Sequence, residues 1–179
     1  MVVFYSRSIG KDLLFCSINI NSMKIDLLCI GKTQEKWLQA GIKKYVDRLS
    51  HYTRFALKEV SVPSRTTSLP INQQVEIEGG VILKRAADYD VLVLLDASGR
   101  QMDSPGVAQY LQQHMNRGTR RIAFVVGGAY GFSDAVYKAC HDKLSLSQLT
   151  FSHQMVRLFF VEQLYRGFTI LRGESYHHG

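Results

Sequence analysis

Two rhythms of hydrophobic and polar residues take turns along this chain. Short unbroken apolar runs, KIDLLCIG from Lys24, DVLVLLD from Asp90 and RIAFVV from Arg121, have the length and branched-residue content of strands covered on both faces. FALKEVSV, from Phe55, reads as another strand. Between these runs the period lengthens. Trp37, Leu38, Ile42, Tyr45, Val46 and Leu49 recur at helical spacing, with Thr33 placed to cap the helix and lysines and Asp47 on its other face. PSRTTSLPINQ reads as a loop, either a simple mobile connection or a lid or RNA contact through Arg65. The next helix is QVEIEGGVILKRAADY, weakened by Gly79 and Gly80. ASGRQMD reads as a turn, followed by Ser104 and Pro105 as N-cap and first helical residue of SPGVAQYLQQHMNR. Ser133 opens SDAVYKACHDKL as a helix, and HQMVRLFFVEQLYRGFTILR forms a long final one. Strands and helices alternate, which predicts an α/β fold with a parallel sheet and ligands at the carboxyl ends of its strands. No repeat, low-complexity tract or linker divides the chain, so residues 23–179 form one domain.

Composition narrows the picture without choosing a function. At 179 residues the chain can bury a core without disulfide or metal support. Its net charge of +7 attracts a polyanion, but a solvated basic surface accounts for it equally well. Cys16, Cys29 and Cys140 form no C-x-x-C pair and stand near no zinc-spaced histidines, which fits reduced thiols in a cytoplasm and no structural metal. Cys29 reads as a small core hydrophobe. Arg157, Glu162 and Arg166 interrupt the longest apolar stretch, so no membrane span is expected. The opening MVVFYSRSIGKDLLFCSININS lacks the continuous apolar core and cleavage site of a signal peptide. Met23 is a second start-like residue, and residues 1–22 read as an extension or a misplaced start.

The last third carries the chemistry. Gly127, Gly128 and Gly131 follow the RIAFVV strand as GG-x-x-G, which is not the dinucleotide fingerprint; it is a tight turn or a ligand loop. LSLSQLTF alternates like a short strand. His153 and Arg157 stand four apart on one helix face, either as an exposed polar face or, through the histidine, as a contact for an RNA base. Glu162 and Arg166 have the spacing of an ion pair. The end of the chain presents Ser175, Tyr176, His177 and His178, and two histidines are too few for an affinity tag. No G-x-x-x-x-G-K-[ST] loop is present to grip a nucleotide phosphate.

In order and spacing, RIAFVVGGAYGFSD, LSLSQLTFSHQMVR, VEQLYRGFTI and ESYHHG resemble the RlmH family of ribosomal RNA methyltransferases, members of the SPOUT superfamily. The resemblance implies a SPOUT-type parallel sheet with helices on both faces and a C-terminal deep trefoil knot, which general topology rules would not have suggested. It implies S-adenosyl-L-methionine as cofactor, held by Leu95, Gly127, Gly128, Leu146, Ser147, Gln148, Leu149, Thr150 and Phe151. It also implies His153, Arg166, Tyr176 and His177 as catalytic residues, and a homodimer acting without metal on N3 of a pseudouridine in helix 69 of 23S rRNA. His177 or His153 suits the general base and Arg166 the developing anion. The sequence departs from the family where Ser175 replaces the usual proline, where His178 replaces the usual arginine, and where VEQLYR closes the family's spacing by one residue. Rival readings are another SPOUT methyltransferase acting on tRNA or a ribose hydroxyl, and a silent RNA-binding module.

Overall fold

The computed structural model describes residues 23–177, the His177 side chain excepted. Residues 1–22, read above as an extension or a misplaced start, lie outside the described residues, as do His178 and Gly179. Five strands, β1 (Lys24–Ile30), β2 (Arg54–Val60), β3 (Val91–Gln101), β4 (Arg121–Val126) and β5 (Asp142–Ser145), form one sheet in the order β2-β1-β4-β3-β5, and every pairing is parallel. The helices are α1 (Lys36–Leu49), α2 (Ile71–Ala86), α3 (Ser104–Asn116), α4 (Asp134–Ala139) and α5 (His153–Leu171).

The apolar runs behave as the pleat requires, sending alternate residues to opposite faces. Ile25, Leu27, Cys29, Val93 and Phe124 face α1, α3 and α5, where they meet Leu49, Leu111, Phe160, Leu164 and Phe168. Leu28, Ile30, Leu92, Leu94 and Val125 face the other way, under Ile82 of α2 and Val136 of α4. Cys29 is fully buried, and burial pushes its thiol up to about 12, so it packs as a hydrophobe. On the second face Asp26 is buried at the start of β1, where Lys58 donates to it at 2.8 Å and Tyr89 at 2.6 Å.

Several local expectations fail for identifiable reasons. Thr33 does not cap α1; Glu35 occupies the N-cap, and the Thr33 hydroxyl accepts instead from Arg157. Trp37, grouped with the buried positions by its spacing, is 56% exposed, because it lies about 100° around α1 from the buried stripe of Leu38, Ile42 and Leu49. The segment read as a turn, ASGRQMD, mostly belongs to β3. The β3–β5 register shifts between Leu95 and Arg100, so a bulge of Gly and Ser inside the strand imitates a turn. Gly99 is required there, since a Cβ would stand 2.6 Å from the Leu144 backbone nitrogen. Asp103, not Ser104, caps α3 by accepting from the Gly106 N–H. The PSRTTSLPINQ loop contains a 3-10 turn, Thr66–Ser68, and α2 begins within it at Ile71. SDAVYKACHDKL is helical only as far as Ala139, and its second half supplies β5. LSLSQLTF contributes only its first two residues to that strand, and residues 146–152 form a loop.

Arg157 overturns the reading of its helix face as exposed. It is fully buried, and its guanidinium donates to the carbonyls of Ile30 at 2.7 Å and Gly31 at 3.2 Å and to Thr33 Oγ1 at 2.9 Å. These bonds tie the end of β1 to the first turns of α5. Replacing Arg157 with methionine orphans these buried acceptors, each worth about 1–3 kcal/mol. Urea unfolding of R157M should show a loss of about 3 kcal/mol.

Candidate functional site

A cleft of ≈ 360 Å³ opens at the carboxyl ends of β3, β4 and β5, where ligands bind in parallel sheets. Its walls come from three segments. Leu95 and Asp96 end the regular part of β3, Gly127, Gly128 and Gly131 follow β4, and the loop after β5 supplies Leu146, Ser147, Leu149, Thr150 and Phe151. His153 and Val156 close it from the start of α5. Eight of the nine sequence-predicted cofactor residues line this one cleft, and exposed Gln148 does not.

The glycine turn has the shape its sequence requires. Gly131 has φ +84°, a left-handed conformation that favours glycine, and Gly128 and Gly131 face each other across the turn. A Cβ on Gly127 would stand 3.0 Å from the Gly131 carbonyl oxygen and 3.1 Å from Phe132. The loop after β5 is held at its base, where Ser145 Oγ donates to the Ser147 carbonyl and the Leu149 N–H donates to Ser147 Oγ. Its apolar tip is open, with Leu149 72% exposed. Apolar walls interrupted by a few polar groups suit a planar heterocycle such as adenine.

Asp96 was not singled out from the sequence. Burial pushes its carboxyl up, but hydrogen bonds from Ser98 and Tyr137 outweigh that and hold it below the usual carboxylate range. With its oxygens engaged by these donors, Asp96 shapes the cleft wall. Its signal was hidden because DVLVLLD reads simply as a strand, with Asp96 as its last residue.

His153 is half-buried at the cleft. Burial lowers its pKa, and the Arg157 guanidinium one helical turn away lowers it further. A neutral imidazole is therefore the resident form at pH 7, and its Nε2 lies 3.2 Å from the Gln154 amide nitrogen, which can donate to it. Gln154 also donates to the Lys32 carbonyl at 3.1 Å, joining the imidazole to the loop after β1.

Arg166 and Tyr176 stand elsewhere. Arg166 donates to Glu162 Oε1 through Nη2 at 2.9 Å and Nε at 3.2 Å, the ion pair expected from their spacing. Tyr176, in a final 3-10 turn (Ser175–His177), approaches Glu162 Oε1 at 3.3 Å and the Tyr45 hydroxyl at 3.2 Å, with the Arg166 guanidinium 5.0 Å from its ring centre. The tail is anchored further back, where the Tyr52 hydroxyl donates to Glu174. The His177 backbone ends this turn. His153 and Arg166 are 13 residues apart on α5, a rise of about 20 Å. The four sequence-predicted catalytic residues thus divide, with His153 at the cleft and the Arg166–Tyr176 cluster near the other end of the helix. Among the described residues no cluster of three or more His, Cys, Asp or Glu is placed to hold a metal, and no helix is long and apolar enough to cross a membrane.

Because its folded-state pKa lies below the unfolded value, His153 binds its proton more weakly when folded, and its contribution to stability is lost as pH falls through that range. An NMR titration of its ring protons should give a midpoint below the ordinary 6.5. A midpoint at or above 6.5 would contradict the arrangement just described.

Comparison with known proteins agrees with this architecture. The family described as "Predicted SPOUT methyltransferase" matches residues 23–177. The chain is 53% identical over 156 residues to the ribosomal RNA large subunit methyltransferase H of Christiangramia forsetii, covering 87% of this chain and 99% of that protein. It is 51% identical to the Flavobacterium johnsoniae protein of the same name, with the same coverage. Among solved structures, a probable methyltransferase from Bordetella pertussis superposes with TM-score 0.53 at 12% identity, over 82% of this chain and 96% of the other. A probable methylase family protein from Haemophilus influenzae gives TM-score 0.53 at 14% identity, over 88% and 71%. The two solved structures support the fold alone, and the sequence matches go further: the chain belongs to the SPOUT methyltransferases and, within them, to the RlmH family.

Proposed function

We propose that this protein transfers the methyl group of S-adenosyl-L-methionine to N3 of a pseudouridine in helix 69 of 23S rRNA, in the cytoplasm and as a homodimer. The observation that carries the reading is the convergence of Leu95, Gly127, Gly128 and the 146–151 loop on one cleft, in a chain of this family. The cleft volume falls in the range of small-molecule sites, its walls are apolar, and its glycines let backbone approach a ligand closely. The deep C-terminal knot belongs to the same reading, supported by the way the 146–152 segment meets the Gly127–Gly131 turn across the cleft.

Bound in the cleft, the cofactor supplies an electrophilic methyl group. The chain's part is to hold the target base in line with it, keep water out and remove the N3 proton. His153 is neutral at pH 7 and so able to accept a proton, once its Nε2 exchanges Gln154 for the substrate. His177 is the second imidazole proposed for this step. The Arg166 guanidinium suits the charge that develops on the base as the proton leaves. Tyr176 orients that guanidinium through its ring and through their shared partner Glu162.

The two ends of α5 are too far apart to act on one base within one chain. A homodimer resolves this if the Arg166–Tyr176 cluster of one copy meets the His153 cleft of its partner. In that arrangement His153→Ala and Tyr176→Phe act on different halves of each composite site. Each variant alone should lose activity, while an equal mixture allowed to exchange subunits regains about a quarter of the unaltered rate through sites built from two intact halves. A mixture no more active than the separate variants would contradict the composite site.

Transfer of radiolabelled methyl to ribosomes lacking the modification, with mass spectrometry of the labelled nucleotide, tests the reaction itself. Label is expected on N3 of the helix 69 pseudouridine. Label on another nucleotide, or none, overturns the assignment.

A further inference from the structure

Gly79 and Gly80 are the least helix-prone residues of α2. Gly79 and its neighbour Glu78 show why a glycine stands there. Gly79 is buried against α4, where a Cβ would stand 2.2 Å from Ser133 Oγ, so only glycine lets the two helices close. That approach brings Glu78 onto the glycine turn. A Cβ on Gly128 would stand 2.3 Å from Glu78 Oε2 and 2.7 Å from Oε1, so the carboxylate fills the space a side chain would take. The carboxylate thus packs directly on the Gly128 backbone, whose N–H favours its charged form. Among the described residues no cation stands within ion-pair distance of Glu78. Burial pushes its carboxyl up, and the Gly128 bond pulls the other way. A half-buried acid without a cation is costly unless it is hydrogen-bonded, and the donor that acts on Glu78 is the backbone of a turn that lines the cleft.

We propose that Glu78 is a positioning residue of the cofactor site, fixing the Gly127–Gly128 peptide by accepting from the Gly128 N–H. Two adjacent glycines have the widest rotational freedom of any dipeptide. Unbraced, the peptide can swing its carbonyl and N–H together and lose the direction in which the turn faces a ligand. Glu78 is absent from the cleft lining, so it acts through Gly128 and does not touch the cofactor. The proposal rests on the reading of the cleft as the S-adenosylmethionine site and extends it to α2, outside the residues that the resemblance implies.

The test is calorimetric binding of S-adenosylhomocysteine to the full chain, E78A and E78Q, with thermal unfolding of each without ligand and steady-state methyl transfer alongside. Failure of the unaltered chain to bind overturns the cofactor reading, and this proposal with it. Given binding, E78A should weaken it at least about tenfold, the worth of one charge-assisted hydrogen bond. E78Q, whose amide oxygen can accept the same bond, should stay within about threefold of the unaltered chain. The loss should appear in the KM for S-adenosylmethionine and leave kcat at saturation nearly unchanged, which a general loss of folded protein would not do. If E78A does not fold, E78D, its carboxylate withdrawn by one methylene, replaces it with the same expected loss. Equal affinity in all three proteins, or E78Q binding as weakly as E78A, overturns the brace while leaving the cofactor reading intact.

Discussion

A buried guanidinium holds this molecule's working edge together. Arg157 sits wholly inside the protein among described groups that are neutral oxygens, two carbonyls at the end of β1 and the Thr33 hydroxyl. A carboxylate enters only one step away, where the Thr33 N–H donates to Glu59. Burying a cation in this way is expensive, and the cost is offset only while these acceptors stay in register. The end of β1, the loop after it and the start of α5 are therefore fixed relative to one another. The cleft inherits that geometry, because His153 and Val156 on the same turns of α5 form one of its walls.

The same charge reaches the chemistry beside it. Burial is the larger cause that holds His153 neutral, and the Arg157 cation one helical turn away adds to it by disfavouring a second positive charge. One side chain thus serves packing and electrostatics together. The opposite wall depends on a different device, a glycine at position 128 whose missing side chain leaves room for the Glu78 carboxylate. Rigid walls on either side leave the apolar tip of the 146–151 loop as the open part of the cleft, with Leu149 its most exposed hydrophobic residue.

The sheet and most of its helices were legible because buried parallel strands announce themselves as unbroken apolar runs, and α5 because its apolar stretch is too long for a strand. What escaped was structure decided by contacts distant in sequence. The β3 bulge uses turn-like residues inside a strand, and β5 was absorbed into a helix because four residues carry too little period to separate the two. Arg157 was misjudged since a basic residue on a helix is usually solvated, and nothing local marks the backbone oxygens waiting 126 and 127 positions earlier. For the site, the glycine turn and the loop after β5 were visible as motifs. The separation of His153 from Arg166 along α5 was also there to be counted, but the family pattern drew them together as one set. Glu78 was invisible as a functional residue because its partner is a backbone N–H.

Cys29 gives β1 a use unrelated to methyl transfer. Its thiol is sealed beneath α5 and shifted so far upward that almost none of it is thiolate at neutral pH. An alkylating reagent can reach it only when β1 comes away from the helices above. The rate of labelling at this one sulfur thus clocks the opening of the innermost layer, a native chemical stopwatch for the event that R157M should hasten.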